Sequence, residues 1–168
     1  MKVWDPVVRL CHWALAALIV FDLVYDDGGR THRVAGYAAS GVVLWRLIWA
    51  AIVRPANGIV SLRPSLARTA EYLRLLRSGR APRTPGHNPL GLWMVWLLWL
   101  LVLLLGVTGF MSRLDAFWGD DTVHDAHALL ANLLMAAVLV HVAGVIAMSL
   151  MWRENLPAAM VTGVKRPP

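Results

Sequence analysis

Long apolar runs alternate with polar connections along the sequence, and four of these runs approach membrane-spanning length. A helix needs ~20 predominantly apolar residues to cross a bilayer. The runs cover Val7–Val24, His32–Val53, Leu90–Phe110 and His127–Met151. We therefore predict an all-α fold, a four-helix transmembrane bundle, in which residues 1–168 form a single integral membrane domain.

The composition agrees with this pattern and argues against a soluble enzyme. Of the 168 residues, 58% are hydrophobic and only 15% are charged. Soluble domains usually carry about 45–50% apolar and about 25% charged residues. The surplus of apolar side chains is too large for the core of such a small chain, so much of it must face lipid.

The charged residues are divided unequally between the two ends of the predicted bundle. Thirteen of the sixteen Lys and Arg residues fall at the end that carries both termini. The other end has three arginines and seven aspartates, which are Asp22, Asp26, Asp27, Asp115, Asp120, Asp121 and Asp125. Because Lys and Arg are retained in cytoplasmic connections, we predict cytoplasmic N and C termini and an acidic outer face.

The long connection between the second and third spans has a helical pattern of its own. Apolar residues recur at helical spacing, and charged residues lie opposite them. The apolar positions are Leu66, Ala70, Leu73 and Leu76, and the charged ones are Arg68, Glu71, Arg74 and Arg77. A basic amphipathic helix of this kind lies in the membrane interface. We predict a cytoplasmic interfacial helix held by anionic headgroups, with a docking surface or a lid as the alternative.

Four of the six histidines lie within or at the ends of the predicted spans, where ionisable residues are rare and usually functional. His127 and His141 are fourteen residues apart on one span, which places them ~40° apart around the helix and ~21 Å apart along it. They therefore share one face at two depths. His12 is level with His141, and His32 is level with His127.

These depth-matched pairs predict two haems, one between His12 and His141 and the other between His32 and His127. Iron with both axial positions filled is an electron-transfer centre, because no substrate can reach the metal. We therefore predict no catalytic residue. The sequence has no Cys-x-x-Cys-His motif, so the haems should be non-covalent and b-type.

Several arginines lie close enough in sequence to pair with haem propionates. Arg9 and Arg46 are placed for the inner haem, and Arg30 and Arg33 flank the outer ligand of span 2. Guanidinium groups suit carboxylates well. Ordinary positive-inside or snorkelling roles explain each arginine equally well.

Two glycines and two further histidines complete the candidates. Gly36 and Gly144 lie about one turn after the histidines of spans 2 and 4 and could let a porphyrin approach the backbone, although helix packing explains them at least as well. We expect His124 to cap span 4 on the solvent side, with proton transfer or contact with a haem propionate as the alternatives. His87 is expected to be a polar loop residue rather than a quinone or proton site.

Two other functions use the same residues. The histidines could form a relay in a metal or proton transporter, or the chain could be a haem-free membrane anchor for a partner protein. Transporter spans usually contain acidic residues or broken helices near the midplane. The predicted spans contain neither there.

Several segments, in order, make the chain resemble the bacterial cytochrome b561 family, and most closely the variant grouped with the cytochrome b subunit of nickel-iron hydrogenases. They are VWDPVVRLCHW, HRVAGY, GHNPLG and HVAGVIAMSLMWRENLPAAMVTGVKR. The resemblance implies a dihaem cytochrome of the bacterial inner membrane that passes electrons between a redox partner and the quinone pool. The family's ligand positions match His12, His32, His127 and His141.

Members of the family differ in their redox partner, and the charge map bears on that choice. The resemblance allows a c-type cytochrome, superoxide, or a hydrogenase or other dehydrogenase for which the chain is the membrane-anchoring cytochrome b subunit. A positive outer surface would attract superoxide, because a field of one sign steers ligands of the other. The acidic outer face instead favours a periplasmic c-type cytochrome and disfavours superoxide.

Overall fold

The computed structural model describes residues 1–25, 27–53 and 59–166, and within these ranges the chain is all-helical. The helices are α1 (Pro6–Val24), α2 (Arg30–Ile52), α3 (Leu66–Arg77), α4 (Pro89–Met111), α5 (Asp121–Met151) and α6 (Leu156–Thr162). Short 3-10 turns at Ile59–Leu62 and Asp115–Phe117 precede α3 and α5. Asp26 and Arg54, which were counted among the charged residues above, lie outside the described residues.

Four helices, α1, α2, α4 and α5, are long and apolar enough to cross a membrane, which confirms the four predicted spans. The largest difference is at α5, which begins at Asp121, six residues before the predicted start. The Asp120 carboxylate caps this helix by accepting a hydrogen bond from the Thr122 N–H at 2.8 Å. His124 therefore lies inside the first turn, and the prediction that it caps the helix is wrong.

Local sequence explains where α1 and α4 begin. The Asp5 carboxylate accepts the Val8 N–H at 2.9 Å, and the Asn88 side chain accepts the Gly91 N–H at 2.7 Å. A proline follows each capping residue, where its missing N–H costs nothing and its fixed φ favours the helix. Each of these two helices thus starts at a polar side chain that satisfies one of its exposed backbone donors.

The bundle packs around α2 and α4. Helix α4 lies against α5 and α2, and α1 lies against α2. Ile19, Val43, Leu101 and Leu134 belong to the buried core between them. Among the described residues, the backbone of α5 approaches α4 more closely than it approaches α1 or α2.

The two chain ends meet at one end of the bundle. Lys2 forms an isolated antiparallel bridge with Val164, and the N-terminal ammonium donates to the Lys165 carbonyl at 2.6 Å. Helix α6, which the sequence analysis did not predict, packs against α5. Both chain ends therefore lie at the same end of the bundle, and the cytoplasmic location of that end stays a prediction.

Helix α3 is present at the predicted position. The Ser65 side chain caps its start, and the Trp93 indole N–H donates to the Thr69 hydroxyl at 3.1 Å, which ties α3 to α4. Its location in the membrane interface stays a prediction.

Candidate functional site

The first candidate site lies between α1 and α5, at the end of the bundle where the termini meet. His12 stands in the second turn of α1 and His141 in the last third of α5. Their imidazole centroids are 6.4 Å apart, and the ring planes are inclined by 55°. Both side chains are half-buried.

The second candidate site lies between α2 and α5, at the opposite end of the bundle. His32 is in the first turn of α2, and His127 is in the second turn of α5. Their ring centroids are 6.2 Å apart, with the planes at 77°. The structure therefore brings together the same two pairs that the depth argument selected.

The spacing of both pairs suits a metal between the rings. A metal bound ~2 Å from one nitrogen of each imidazole holds the two ring centroids roughly 6 Å apart. The looser backbone approach of α5 to both partner helices also suits a flat macrocycle lying between them. Histidine pairs of this geometry can therefore hold a bis-histidine haem at each end of α5.

The His32/His127 pair, which is called the outer pair below, has defined partners at its Nδ1 atoms. His32 Nδ1 lies 3.2 Å from the Tyr25 carbonyl oxygen and 3.5 Å from the Asp22 carboxylate. His127 Nδ1 lies 2.8 Å from the Thr108 hydroxyl oxygen. Partners of this kind fix the orientation of metal-binding histidines, and they leave Nε2 of each ring to face a metal.

A cavity of about 90 Å³ lies beside His12 of the His12/His141 pair, which is called the inner pair below. Cys11, His12, Arg46 and Trp99 are among its lining residues. Arg46 is buried at 7% exposure, and its guanidinium carbon lies 5.8 Å from the Trp99 ring centroid. A buried cation beside His12 provides the positive charge that an anionic substituent of a bound group would need.

His87 also lines this cavity, although the sequence analysis expected only a polar loop residue. Its ring lies 4.8 Å from that of Trp4. Burial and the nearby charges of Arg46 and Lys165 lower its pKa to about 4, so it is neutral at physiological pH. Only the GHNPLG segment of the family resemblance singled out this loop, because nothing in the spacing of a loop histidine reveals that its side chain is partly buried.

Arg9 and Arg33 contact the backbone rather than the histidines. A terminal guanidinium nitrogen of Arg9 donates to the Val161 carbonyl, while Arg9 Nε is buried and makes no hydrogen bond within the described residues. Arg33 donates to the Gly28 carbonyl at 2.9 Å. Of the predicted arginines, Arg46 is therefore the one that lines the histidine cavity.

The predicted glycines differ in what surrounds them. A Cβ at Gly36 would lie 3.3 Å from the Asp22 carboxylate, whereas a Cβ at Gly144 would meet nothing within 4 Å. On α4, a Cβ at Gly109 would lie 3.3 Å from Cε1 of His127. Gly36 thus lets α1 approach His32, Gly144 leaves open space, and Gly109 gives His127 room.

The end of the bundle where the termini meet holds a charged cluster that the sequence analysis missed. Arg83 donates from two nitrogens to Glu154, at 3.1 and 2.7 Å, and the Arg166 N–H donates to the same carboxylate at 3.2 Å. The hydrogen bond from Arg83 lowers the pKa of Glu154, and burial lowers the pKa of Lys165. Contacts over such a sequence separation leave no local signal.

The fold and its sites define a four-helix membrane protein with two facing histidine pairs inside the bundle. The family model described as prokaryotic cytochrome b561 matches residues 3–163, and the chain belongs to this family. The resemblance noted from the sequence is thereby confirmed, and the chain is a membrane haem b protein of electron transfer. No curated protein and no solved structure matches it.

Proposed function

We propose that the chain holds two b-type haems, one between His12 and His141 and the other between His32 and His127, and connects a periplasmic redox protein to the quinone pool. The observation that carries this proposal is the ring-centroid separation of 6.4 Å in one pair and 6.2 Å in the other. When bound, haem supplies reversible one-electron chemistry. Membership of a haem b family favours this function over the histidine-relay transporter.

The protein's own residues bind and enclose these groups. The four imidazoles would hold the haem irons, and the buried core that includes Val43 and Leu134 lies within the same bundle. Arg46 is the first candidate to pair with a propionate of the inner haem. Arg9 and Arg33 are further candidates, but each would have to exchange its present carbonyl partner.

The haems also need room beside the helices. We propose that Gly36 and Gly144 provide it, since each lies about one turn after a ligand on the same helix. The open space at Gly144 supports this role more directly than the closer surroundings of Gly36.

We propose that the chain lies in the bacterial inner membrane with both termini in the cytoplasm. The end where the termini meet carries most of the basic residues, and positive charge is retained on the cytoplasmic side. Helix α3 would then lie in the cytoplasmic interface, where its exposed Arg68 and Arg74 can contact anionic headgroups.

The outer face supports a c-type cytochrome as the redox partner. Asp115, Asp121 and Asp125 are exposed there, so the surface suits a basic docking partner and repels superoxide. A hydrogenase or other dehydrogenase subunit is the rival partner, for which the chain would act as the membrane-anchoring cytochrome b.

Haem binding is tested on the protein purified in detergent from haem-replete cells. We expect a red protein whose reduced-minus-oxidised spectrum has the bands of low-spin haem b, with two haems per chain by pyridine haemochrome. A colourless preparation would overturn the proposal, and one haem per chain would overturn its dihaem part.

Partner choice is tested by stopped-flow mixing of the oxidised or reduced protein with cytochromes c, quinols and superoxide. We expect rapid exchange with a basic cytochrome c and with a quinone or quinol. Fast reduction by superoxide, with no reaction with cytochromes c, would overturn the partner assignment while leaving the haem sites intact.

A further inference from the structure

The two histidine pairs differ in the environment of their Nδ1 atoms. In the outer pair, His32 Nδ1 contacts the Tyr25 carbonyl and the Asp22 carboxylate, and His127 Nδ1 contacts the Thr108 hydroxyl. In the inner pair, His12 Nδ1 is buried and has no hydrogen-bond partner among the residues that the structure describes.

The partners of the outer pair determine where the ring protons lie. A carbonyl oxygen can only accept, so the contact with Tyr25 requires a hydrogen on Nδ1 of His32. The Thr108 hydroxyl has a single hydrogen, and its oxygen lies 2.9 Å from the Leu104 carbonyl, which also only accepts. When Thr108 donates to Leu104, it accepts from Nδ1 of His127, and both outer rings then carry hydrogen on Nδ1 and leave the lone pair of Nε2 for a metal.

Hydrogen bonds of this kind change the properties of a bound metal. Donation from Nδ1 to an oxygen makes the imidazole a more basic ligand. A more basic ligand stabilises ferric over ferrous iron, as does a nearby carboxylate such as Asp22, and both effects lower a haem's reduction potential. At the inner pair, the buried positive charge of Arg46 lies beside His12 in the same cavity, and positive charge stabilises the reduced form.

We infer that Thr108 and Asp22 are positioning residues that make the His32/His127 site the lower-potential of the two haem sites. This inference rests on the proposed function. It assigns to α4, which carries no histidine ligand, and to the outer end of α1 a role in setting the potential of the outer haem. It also gives the two sites different potentials although each is built from two imidazoles.

The test is a potentiometric redox titration of the purified dihaem protein, followed by visible spectroscopy. We expect two components in the wild-type protein. Only the lower one should persist in His12→Ala, which keeps the outer pair intact. Thr108→Val removes the hydroxyl at nearly constant shape and should shift the lower component to a higher potential, while Thr108→Ser should restore the wild-type value.

Asp22→Asn provides a second, independent variant, because it removes the negative charge and keeps the side-chain shape. It should shift the same component in the same direction. Ser112→Ala is the matched control, since it removes a hydroxyl from the same end of α4. The Ser112 hydroxyl donates to the Gly109 carbonyl at 3.0 Å rather than to a histidine, so this variant should shift neither component.

The outcomes separate this inference from the proposed function. Suppose that the wild-type protein binds two haems, but Thr108→Val and Asp22→Asn shift the potential of the upper component or shift neither potential. The inference is then overturned, and the haem assignment stands. Persistence of the upper component in His12→Ala would also overturn it. If the wild-type protein binds no haem, or if His12→Ala loses both, the proposed function fails.

Discussion

Arg83 and Glu154, separated by 71 residues, form a two-pronged ion pair that joins the segment before α4 to the segment before α6. The Glu154 side chain is 5% exposed and that of Arg83 is 25% exposed. Glu154 also accepts from the Arg166 backbone. One carboxylate therefore binds both the segment that carries Arg83 and the C-terminal segment.

The first prediction concerns this ion pair and pH. The pKa of Glu154 is lowered in the folded protein, so the stabilisation is present above the usual glutamate pKa of about 4.3 and is lost as pH falls through the lower folded value. Glu154→Gln should lower the midpoint of thermal unfolding by a few degrees at pH 7 and flatten its decline between about pH 5 and pH 3.

Glu71→Gln is the control for that measurement. Glu71 makes an equally short pair with Arg74, at 2.7 Å, but both side chains are more than half exposed, and exposed pairs contribute little. Equal loss of stability in both variants would show that burial of the Glu154 pair has no special effect.

The second prediction concerns Gly163, which ends α6. Its φ is +79°, and a Cβ there would lie 2.8 Å from the Trp4 carbonyl oxygen. Gly163→Ala should therefore loosen the C-terminal segment and speed its cleavage in limited proteolysis. Gly79→Ala is the matched control, because its φ is +70° with nothing within 4 Å of the added Cβ. Gly79→Ala should lower the free energy of unfolding only by the ~1–2 kcal/mol that a left-handed backbone costs a residue with a side chain. Equal effects of the two variants would show that the close contact with Trp4 has no effect of its own.

The third prediction concerns the close approach of α4 to His127. Gly109→Val should displace the His127 ring, since even a Cβ at this position would lie 3.3 Å from Cε1. We expect the haem content to fall from two towards one per chain, with Gly109→Ala intermediate. A valine at Gly41, where an added Cβ meets nothing within 4 Å, should leave the content unchanged. Full haem content in Gly109→Val would contradict the role given to this glycine.

The hydrophobic pattern predicted most of the helical architecture because membrane spans must be long and apolar. The start of α5 differs because Asp120, Asp121 and Asp125 read as a polar connection, although Asp120 is a helix cap. Helix α6 was missed since seven residues are too short for a periodic signal. Asn155, Pro157 and Gly163 mark its two ends and could have revealed it.

The candidate site was only partly predictable, for a similar reason. Depth along a helix follows from residue number, so the pairing of His12 with His141 could be read from the spacing and topology of the spans. The contact between Thr108 and His127 depends on how α4 is rotated against α5, and the burial of His87 depends on the path of a loop. Neither leaves a periodic signal.

The fourth prediction concerns the acidic outer face. Exchange of electrons with a basic cytochrome c should slow several-fold as ionic strength rises, because salt screens the attraction that steers the encounter. Replacing Asp115 and Asp125 together by Asn should lower the low-salt rate constant in stopped-flow measurements. Glu71→Gln removes an acidic side chain of α3, away from the acidic outer face, and should leave this rate constant unchanged. A rate independent of salt would contradict the docking surface.

The pairing of the four histidines is tested most directly by the haem content of double variants, measured by pyridine haemochrome. Replacing both members of one pair, His12 with His141 or His32 with His127, should leave one haem per chain. Replacing one member of each pair, as in His12 with His32, should leave none. Equal haem contents in these double variants would contradict the account.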